Sequence, residues 1–266
     1  MTDEERRDLQ CDLLVFVATQ TEEEQLLEAA SGMGIAVAPK SSSLGDYYHL
    51  GQVGGSRVNA VKMEMGPLSH GGSASVGILF QQATTATGII QVGMAFGLDR
   101  TSQAIGDVLV STALLPYDMR DARTEGDRYV FEYQRVKRHP AKASLIRLFQ
   151  AERDRGGYEH SILFGELLSG AARIFSRHYL AELLRLVPGV KDGIIGGEME
   201  GVGLTSVSPR KKPSWIVVKG ICDFADENRD AEIEKTRPIA CRNAANFVFS
   251  ALLRANQAHE SETSGK

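Results

Sequence analysis

The chain of 266 residues is short of the features that mark several common protein classes. Its three cysteines, Cys11, Cys222 and Cys241, are widely spaced and odd in number, which excludes a disulfide scaffold and a paired-cysteine metal site. A net charge of −4 gives no general attraction for nucleic acid or an anionic membrane. No apolar run approaches the roughly 20 residues a membrane-spanning helix needs. The opening MTDEERRDLQ is too charged for a secretory signal, so a cytoplasmic location is expected. There is no P-loop, and neither Gly54-Gly55 nor Gly196-Gly197 belongs to a G-x-G-x-x-G turn. No metal and no cofactor are expected.

What is present is a core. Hydrophobic residues make up 42% of the chain, enough to bury a proper interior. Residues 1–11 and 258–266 are polar and expected to be frayed, leaving one domain over residues 12–257. Apolar runs at Leu13 to Ala18, Gly88 to Val92, Val108 to Leu114 and Trp215 to Val218 predict buried strands, and Ser56 to Met65 another. Helical spacing covers Glu22 to Met33, Gly71 to Ala83, Ala141 to Arg153, Ile174 to Leu186 and Pro238 to Leu253. Such alternation predicts a single three-layer α/β domain with a central mixed, largely parallel sheet flanked by helices. Arg120 to His139 has no clean period and is expected to be a long loop.

Two segments carry the chemistry. In WIVVKGICDFAD (215–226) a buried strand runs directly into an acidic turn. Ligand crevices of open α/β sheets lie beyond the carboxyl ends of strands, so Asp223 is placed at a pocket rim, where partial drying suits a carboxyl to proton donation. Its neighbour Cys222 reads as a packed thiol rather than a nucleophile. In GGEMEGVGL (196–204), Glu198 and Glu200 flank Met199, one glutamate is expected to face the pocket, and Gly201 and Gly203 permit close packing or close approach of a ligand.

EMEG followed by VVKGICDFAD resembles the nucleoside phosphorylase and nucleosidase superfamily, in particular its methylthioadenosine/S-adenosylhomocysteine nucleosidase branch. LLVFVATQTEEEQLL (13–27), GIIQVGMAFGL (88–98) and LLSGAARI (167–174) are similar to further segments of that family in the same order. The resemblance implies hydrolysis of a ribosyl C–N bond, with Asp223 protonating the leaving purine and one of Glu22, Glu23 and Glu24 activating water, Glu24 aligning best. Glu200 then binds the ribose hydroxyls and Met199 packs under the sugar, with Glu198, Gly93, Met94, Ala95, Cys222, Arg173 and Ile174 as further substrate-binding positions. The first turn carries glutamates in place of the phosphorylases' arginine, and Gly93-Met94-Ala95-Phe96-Gly97 lacks a hydroxyl, so water is expected as nucleophile.

The resemblance implies a small purine nucleoside or nucleotide as substrate. The family's S-G-D-A-F-I stands here as Ser169-Gly170-Ala171-Ala172-Arg173-Ile174, with the acid and the stacking aromatic replaced, and an arginine can stack on a base or pair with a phosphate. The helix N-terminus after Gly66 to Gly72 and the basic run Arg135 to His139 are further candidates for a phosphate tail. The wording resembles the nucleosidase modules attached to bacterial immune and antiviral proteins more than the housekeeping enzyme, which implies cleavage of an adenine nucleotide such as ATP. The alternatives are a methylthioadenosine/S-adenosylhomocysteine nucleosidase, a purine nucleoside phosphorylase, or a nucleotide-sensing module without turnover. The resemblance also implies a homodimer or larger homo-oligomer.

Overall fold

The structure, a computed structural model, describes residues 1–133, 137–187, 193–205 and 214–263. In chain order the elements are α1 (Asp3–Asp8), β1 (Leu13–Val17), α2 (Gln20–Gly32), β2 (Ala38–Ser42), β3 (Gly45–Val53), β4 (Ser56–Lys62), α3 (Ser73–Ala83), β5 (Gly88–Phe96) and β6 (Val108–Pro116). There follow β7 (Asp121–Glu125), β8 (Arg128–Glu132), β9 (His139–Pro140), α4 (Ala143–Arg155), β10 (Ile162–Ser169), α5 (Arg177–Leu186), β11 (Ile194–Glu198), α6 (Gly201–Leu204), β12 (Ser214–Asp223) and α7 (Arg229–Thr263).

The main sheet runs β11-β10-β6-β12-β5-β1-β4-β3-β2. Its centre is parallel: β1 pairs β4 and β5, and β5 pairs β12. An antiparallel step from β12 to β6 reverses direction, after which β10 and β11 follow β6 in parallel. The end of β11 then meets the end of β5, Gly197 opposite Phe96, so five strands curl back on themselves. Gly197 permits this closure, because a Cβ there would lie 2.2 Å from the Phe96 ring.

Alternation along β1 shows how the layers form. Val15 and Val17 face one core with Ile90, Val92, Ile216 and Val218, against Phe149 of α4 and Phe247 and Phe249 of α7. Leu14 and Phe16 face the other, against Phe80 of α3 and Leu204 of α6. Strands covered on both faces read as continuous apolar runs, which is why these were legible.

Gly220 fixes how closely α7 approaches the sheet. A Cβ there would fall 2.1 Å from the Ala240 carbonyl oxygen and 2.7 Å from its Cα, backbone that cannot step aside. Gly220→Ala is expected to cost about 1–3 kcal/mol by overpacking. Denaturant unfolding checks this, and a variant as stable as the parent refutes the close approach.

Several expectations are corrected. Residues 3–8 form a helix with a Thr2–Glu5 capping box, and Leu9 and Cys11 are fully buried, so the N-terminus is tied down rather than frayed. Residues 121–132 form a hairpin, and its strands are exposed on nearly every residue, so no buried face imposed a period on the sequence. The last helix begins at Arg229 and passes through Pro238, which had been read as its first residue; a proline deletes one backbone bond, and the helix continues on both sides. The backbone of that helix runs to Thr263, into the segment expected to fray. Among the described residues no helix is long and apolar enough to cross a membrane.

Candidate active site

The ends of β1, β5, β11 and β12 converge on a cavity of about 370 Å³, within the range of small-ligand pockets. Asp223, the last residue of β12, is 3% exposed at one end. Its Oδ1 accepts the Ala225 N–H at 2.8 Å, which folds the chain into a tight turn with Ala225 at φ 53°. That is the one left-handed non-glycine among the described residues, a strained backbone two residues beyond the cavity-lining carboxylate. Oδ2 lies 3.1 Å from Arg229 Nε and accepts from Cys222 Sγ at 3.2 Å. Asp223 is therefore one half of a buried ion pair, where the sequence suggested an isolated carboxyl.

The other end is a buried triad of charges. Lys219, fully buried in β12, points Nζ between Glu22 Oε1 at 3.3 Å and Glu200 Oε2 at 3.1 Å. Burial alone would push the ammonium's pKa down; the two carboxylates reverse this and hold it well above its ordinary value. Glu200 is pushed up by burial, against the pull of Lys219. Its Oε1 accepts the Gly66 N–H at 3.2 Å, and Gln91 Nε2 lies 3.4 Å from Oε2.

Glu22 has two structural duties. Thr19 caps α2 by accepting the Glu22 N–H, and Glu22 Oε2 accepts the N–H groups of Thr19 and Ala18 in return. Its Oε1 accepts the Met94 N–H at 2.8 Å. That approach depends on Gly93, where a Cβ would sit 1.8 Å from Oε1. The sequence reading assigned water activation to Glu24, and the geometry corrects this. Glu24 is exposed, bonded to Gln20 and away from the cavity, because the helix starts two residues earlier than expected and 22 turns inward.

Met94, Ala95, Glu198, Met199, Glu200, Cys222, Asp223, Arg173 and Ile174 all line the cavity. Gly93 does not; it makes room for Glu22 instead. Both glutamates of EMEG line the cavity, against the expectation of one: β11 ends at Glu198 and the chain turns there, so that Glu198, Met199 and Glu200 all reach the same space. Glu198 Oε2 accepts the N–H groups of Glu200 and Gly201, while its buried Oε1 has no hydrogen-bond partner and is an acceptor open to a ligand. Gly203 serves packing, a Cβ there falling 2.0 Å from Ser73 Oγ. The Cys222 thiol is pushed well above its ordinary pKa by burial and by Asp223, which makes it inert as a nucleophile.

The loop at 170–174 is shaped from below. Tyr117 donates to the carbonyls of Gly170 and Ala172, and Asp118 accepts the Ala171 N–H. The guanidinium of Arg229 stacks over Phe175 at 4.6 Å, with that of Arg173 at 5.9 Å from the same ring. One suggested anion site falls away, and the other lies partly outside the described residues. The first N–H groups of α3, at Ser73 and Ala74, already donate to the carbonyls of Gly66 and Pro67. Of the basic run, Arg138 pairs with Glu166, and residues 135 and 136 lie outside the described residues. No cluster of histidine, cysteine and acid among the described residues could hold a metal ion. Sequence reasoning also missed Phe96, Arg229 and Arg237 on the cavity wall, and Lys219 as the link between its carboxylates; a lone lysine in an apolar strand was the available signal for the last.

A half-closed α/β sheet with a cavity at its strand ends, acidic at both poles, defines the class. The chain belongs to the phosphorylase superfamily, whose family model matches residues 12–254. It is 26% identical over 178 residues to a death domain-containing ATP nucleosidase of Amphimedon queenslandica, covering 60% of this chain but 32% of that protein, so it spans about a third of that relative's length. It is 24% identical to the 5'-methylthioadenosine/S-adenosylhomocysteine nucleosidase of Glaesserella parasuis, covering 65% of this chain and 72% of the relative. In structure it is similar to the corresponding nucleosidase of Neisseria meningitidis, solved with methylthio-immucillin-A, with TM-score 0.73, 20% identity and coverage of 91% and 98% of the two chains. The futalosine hydrolase of Helicobacter pylori superposes with TM-score 0.67 at 16% identity, covering 92% of this chain and 98% of its own.

Proposed function

We propose that this protein is a purine nucleosidase, hydrolysing the N-glycosidic bond of an adenine nucleoside or nucleotide. One observation carries the reading: a single cavity holds Asp223 at one pole and the Glu22–Lys219–Glu200 triad at the other. The relatives named as nucleosidases support the same chemistry.

The base sits against Asp223, with Ile174 and Phe96 as apolar walls. Met199 lies under the sugar, and Glu200 accepts its hydroxyls, as the unpartnered Glu198 Oε1 can. Asp223, freed from Arg229 and protonated from solvent, passes that proton to the leaving ring as the C1′–N bond lengthens and is left as the carboxylate, while positive charge on the ribose is balanced by the carboxylates below. Water adds at C1′ and gives its proton to Glu22. Every lone-pair direction of that carboxylate is taken, so the water displaces the long 3.3 Å contact with Lys219, which then faces Glu200 alone. The donor role of Asp223 likewise requires Arg229 to release it as the base enters, and the Phe175 ring already holds that guanidinium.

Glu22→Gln is expected to lower kcat at least about 100-fold, as loss of a general base does. Glu24→Gln is expected to change it less than about twofold. Release of free adenine from a nucleoside and nucleotide panel measures both, and the reverse ranking would restore Glu24. The same panel with and without inorganic phosphate tests hydrolysis: rates independent of phosphate, with no ribose 1-phosphate formed, are expected. A cytoplasmic setting fits three buried, unpaired cysteines. A homo-oligomer is what the resemblance in sequence implies. A role in antiviral defence rests on the resemblance in sequence alone.

A further inference from the structure

Arg100 does not line the cavity, yet it is bound to the turn that aims Asp223. Once Arg229 has left Oδ2, the carboxyl is held by the Ala225 N–H on Oδ1 and by the weaker Cys222 thiol. The first of these bonds exists because Ala225 has φ 53°, a conformation that persists only where its surroundings over-determine it. Arg100 grips the chain on both sides of that residue. Before it, the guanidinium lies over the buried Phe224 ring at 4.6 Å. After it, Nε and Nη2 donate to the two oxygens of Asp226 at 3.0 and 3.3 Å, a two-pronged pair that fixes orientation as well as distance. Nη2 also donates to Glu232 at 2.8 Å, which ties the turn to the start of α7. Asp226 is buried, and its Oδ1 accepts the Asn228 N–H at 3.0 Å. Burial works to raise its pKa, but the bonds from Arg100 and Asn228 outweigh this and hold the carboxyl below its ordinary range. The loop that carries Arg100 is fixed in its turn. Gln103 Oε1 accepts the N–H groups of Leu98 and Asp99 at 2.7 and 3.2 Å, and its Nε2 donates to the Ile195 carbonyl of β11 at 2.7 Å. Gly97 donates its N–H to the Asp223 carbonyl at 2.8 Å, and a Cβ at Gly97 would lie 2.8 Å from the Phe224 ring. Loop and turn are therefore in direct contact.

We propose that Arg100 is a positioning residue for the proton donor: by clamping Phe224 and Asp226 it holds Ala225 in its left-handed conformation, and so keeps the Asp223 carboxyl aimed at the base after Arg229 releases it. The proposal rests on the reading of Asp223 as that donor. Arg100, Phe224 and Asp226 all stand off the cavity wall, so any effect of Arg100 on turnover passes through Asp223 or through folding alone. The two routes leave different signatures.

The test is a double-mutant cycle of Arg100→Gln with Asp223→Asn in the full chain, reading kcat for free adenine released from adenosine, methylthioadenosine and ATP. In the parent background Arg100→Gln is expected to lower kcat about 10- to 100-fold, as misplacing a catalytic group by about 1 Å does, with KM little changed. In the Asp223→Asn background there is no proton to aim, and the same substitution is expected to cost less than about twofold. A role in folding alone lowers the active fraction equally in both backgrounds. Equal losses therefore overturn the proposal, as does a parental kcat in Arg100→Gln. The two readings fail in different places. A parental kcat in Asp223→Asn, or a parent that releases no adenine, removes the donor and the proposal with it, whereas equal losses beside a slow Asp223→Asn remove the clamp alone. Should Arg100→Gln misfold, Asp226→Asn takes its place in the cycle: the amide can still accept the Asn228 N–H but gives up the ion pair, and the same outcomes decide.

Discussion

Asp223→Asn is expected to reduce release of the base by about 10²- to 10⁴-fold, roughly 3–5 kcal/mol of barrier. The amide is nearly the shape of the carboxyl and can still accept the Ala225 N–H, so the turn with Ala225 at φ 53° should survive. What it cannot do is hand over a proton. The loss should appear in kcat more than in KM, since the proton is needed in the transition state and not in the ground state. It should be smallest for substrates whose leaving group departs readily without protonation. An activated O-glycoside such as a p-nitrophenyl riboside, whose phenolate departs without protonation, separates the two effects: its turnover should recover most of the loss. Wild-type turnover of adenine substrates in Asp223→Asn would remove Asp223 from the chemistry.

The second large effect concerns stability. Lys219→Met keeps the length of the side chain but removes its charge, leaving Glu22 and Glu200 buried at 3% and 5% exposure without their shared cation. Breaking a buried ion network from one side costs about 3–5 kcal/mol, much of it the penalty of charge left unpaired. The sign of the pH dependence follows. In the parent, Lys219 is held above its ordinary value, so its contribution is whole below the unfolded lysine's pKa of about 10.4 and fades as pH rises through the folded one. Glu200 is held above its own, so the folded state binds its proton more readily than the unfolded state. With Lys219 gone that tendency strengthens, and the variant should regain stability as pH falls from 7 toward 5. Adding Glu200→Gln should recover part of the loss at pH 7. Thermal melts of the two variants and the double variant, across pH, check this; a Lys219→Met protein as stable as the parent at pH 7 refutes the triad.

How much of the site was legible depended on whether its residues were contiguous. WIVVKGICDFAD and GGEMEGVGL each carry their groups on one strand end, so Asp223, Glu198, Met199 and Glu200 could be placed from strand logic alone. Glu22 could not be separated from Glu23 and Glu24, because a run of three glutamates is resolved by where the helix begins. That is set by Thr19, which caps a helix beginning at Gln20, two residues ahead of the start the spacing predicts. Arg229 and Arg237 sit in a polar stretch ahead of the helix expected from Pro238, and only the passage of α7 along the cavity brings them to its wall. The basic run near 135 and the loop at 66–72 looked anionophilic in sequence, but the loop's amides and carbonyls are spent on Glu200 and on the first turn of α3.

From sequence alone came the layered α/β class, the buried strands, and acids at two strand ends, because hydrophobic period and strand-end chemistry are local properties of the chain. Folding alone decided the rest: that β11 curls back onto β5, that Lys219 lies between carboxylates 197 and 19 residues away, and that Asp223 is ion-paired. Those outcomes depend on which distant groups are brought together in a place too dry for a charge to stand by itself, and no local pattern encodes that meeting.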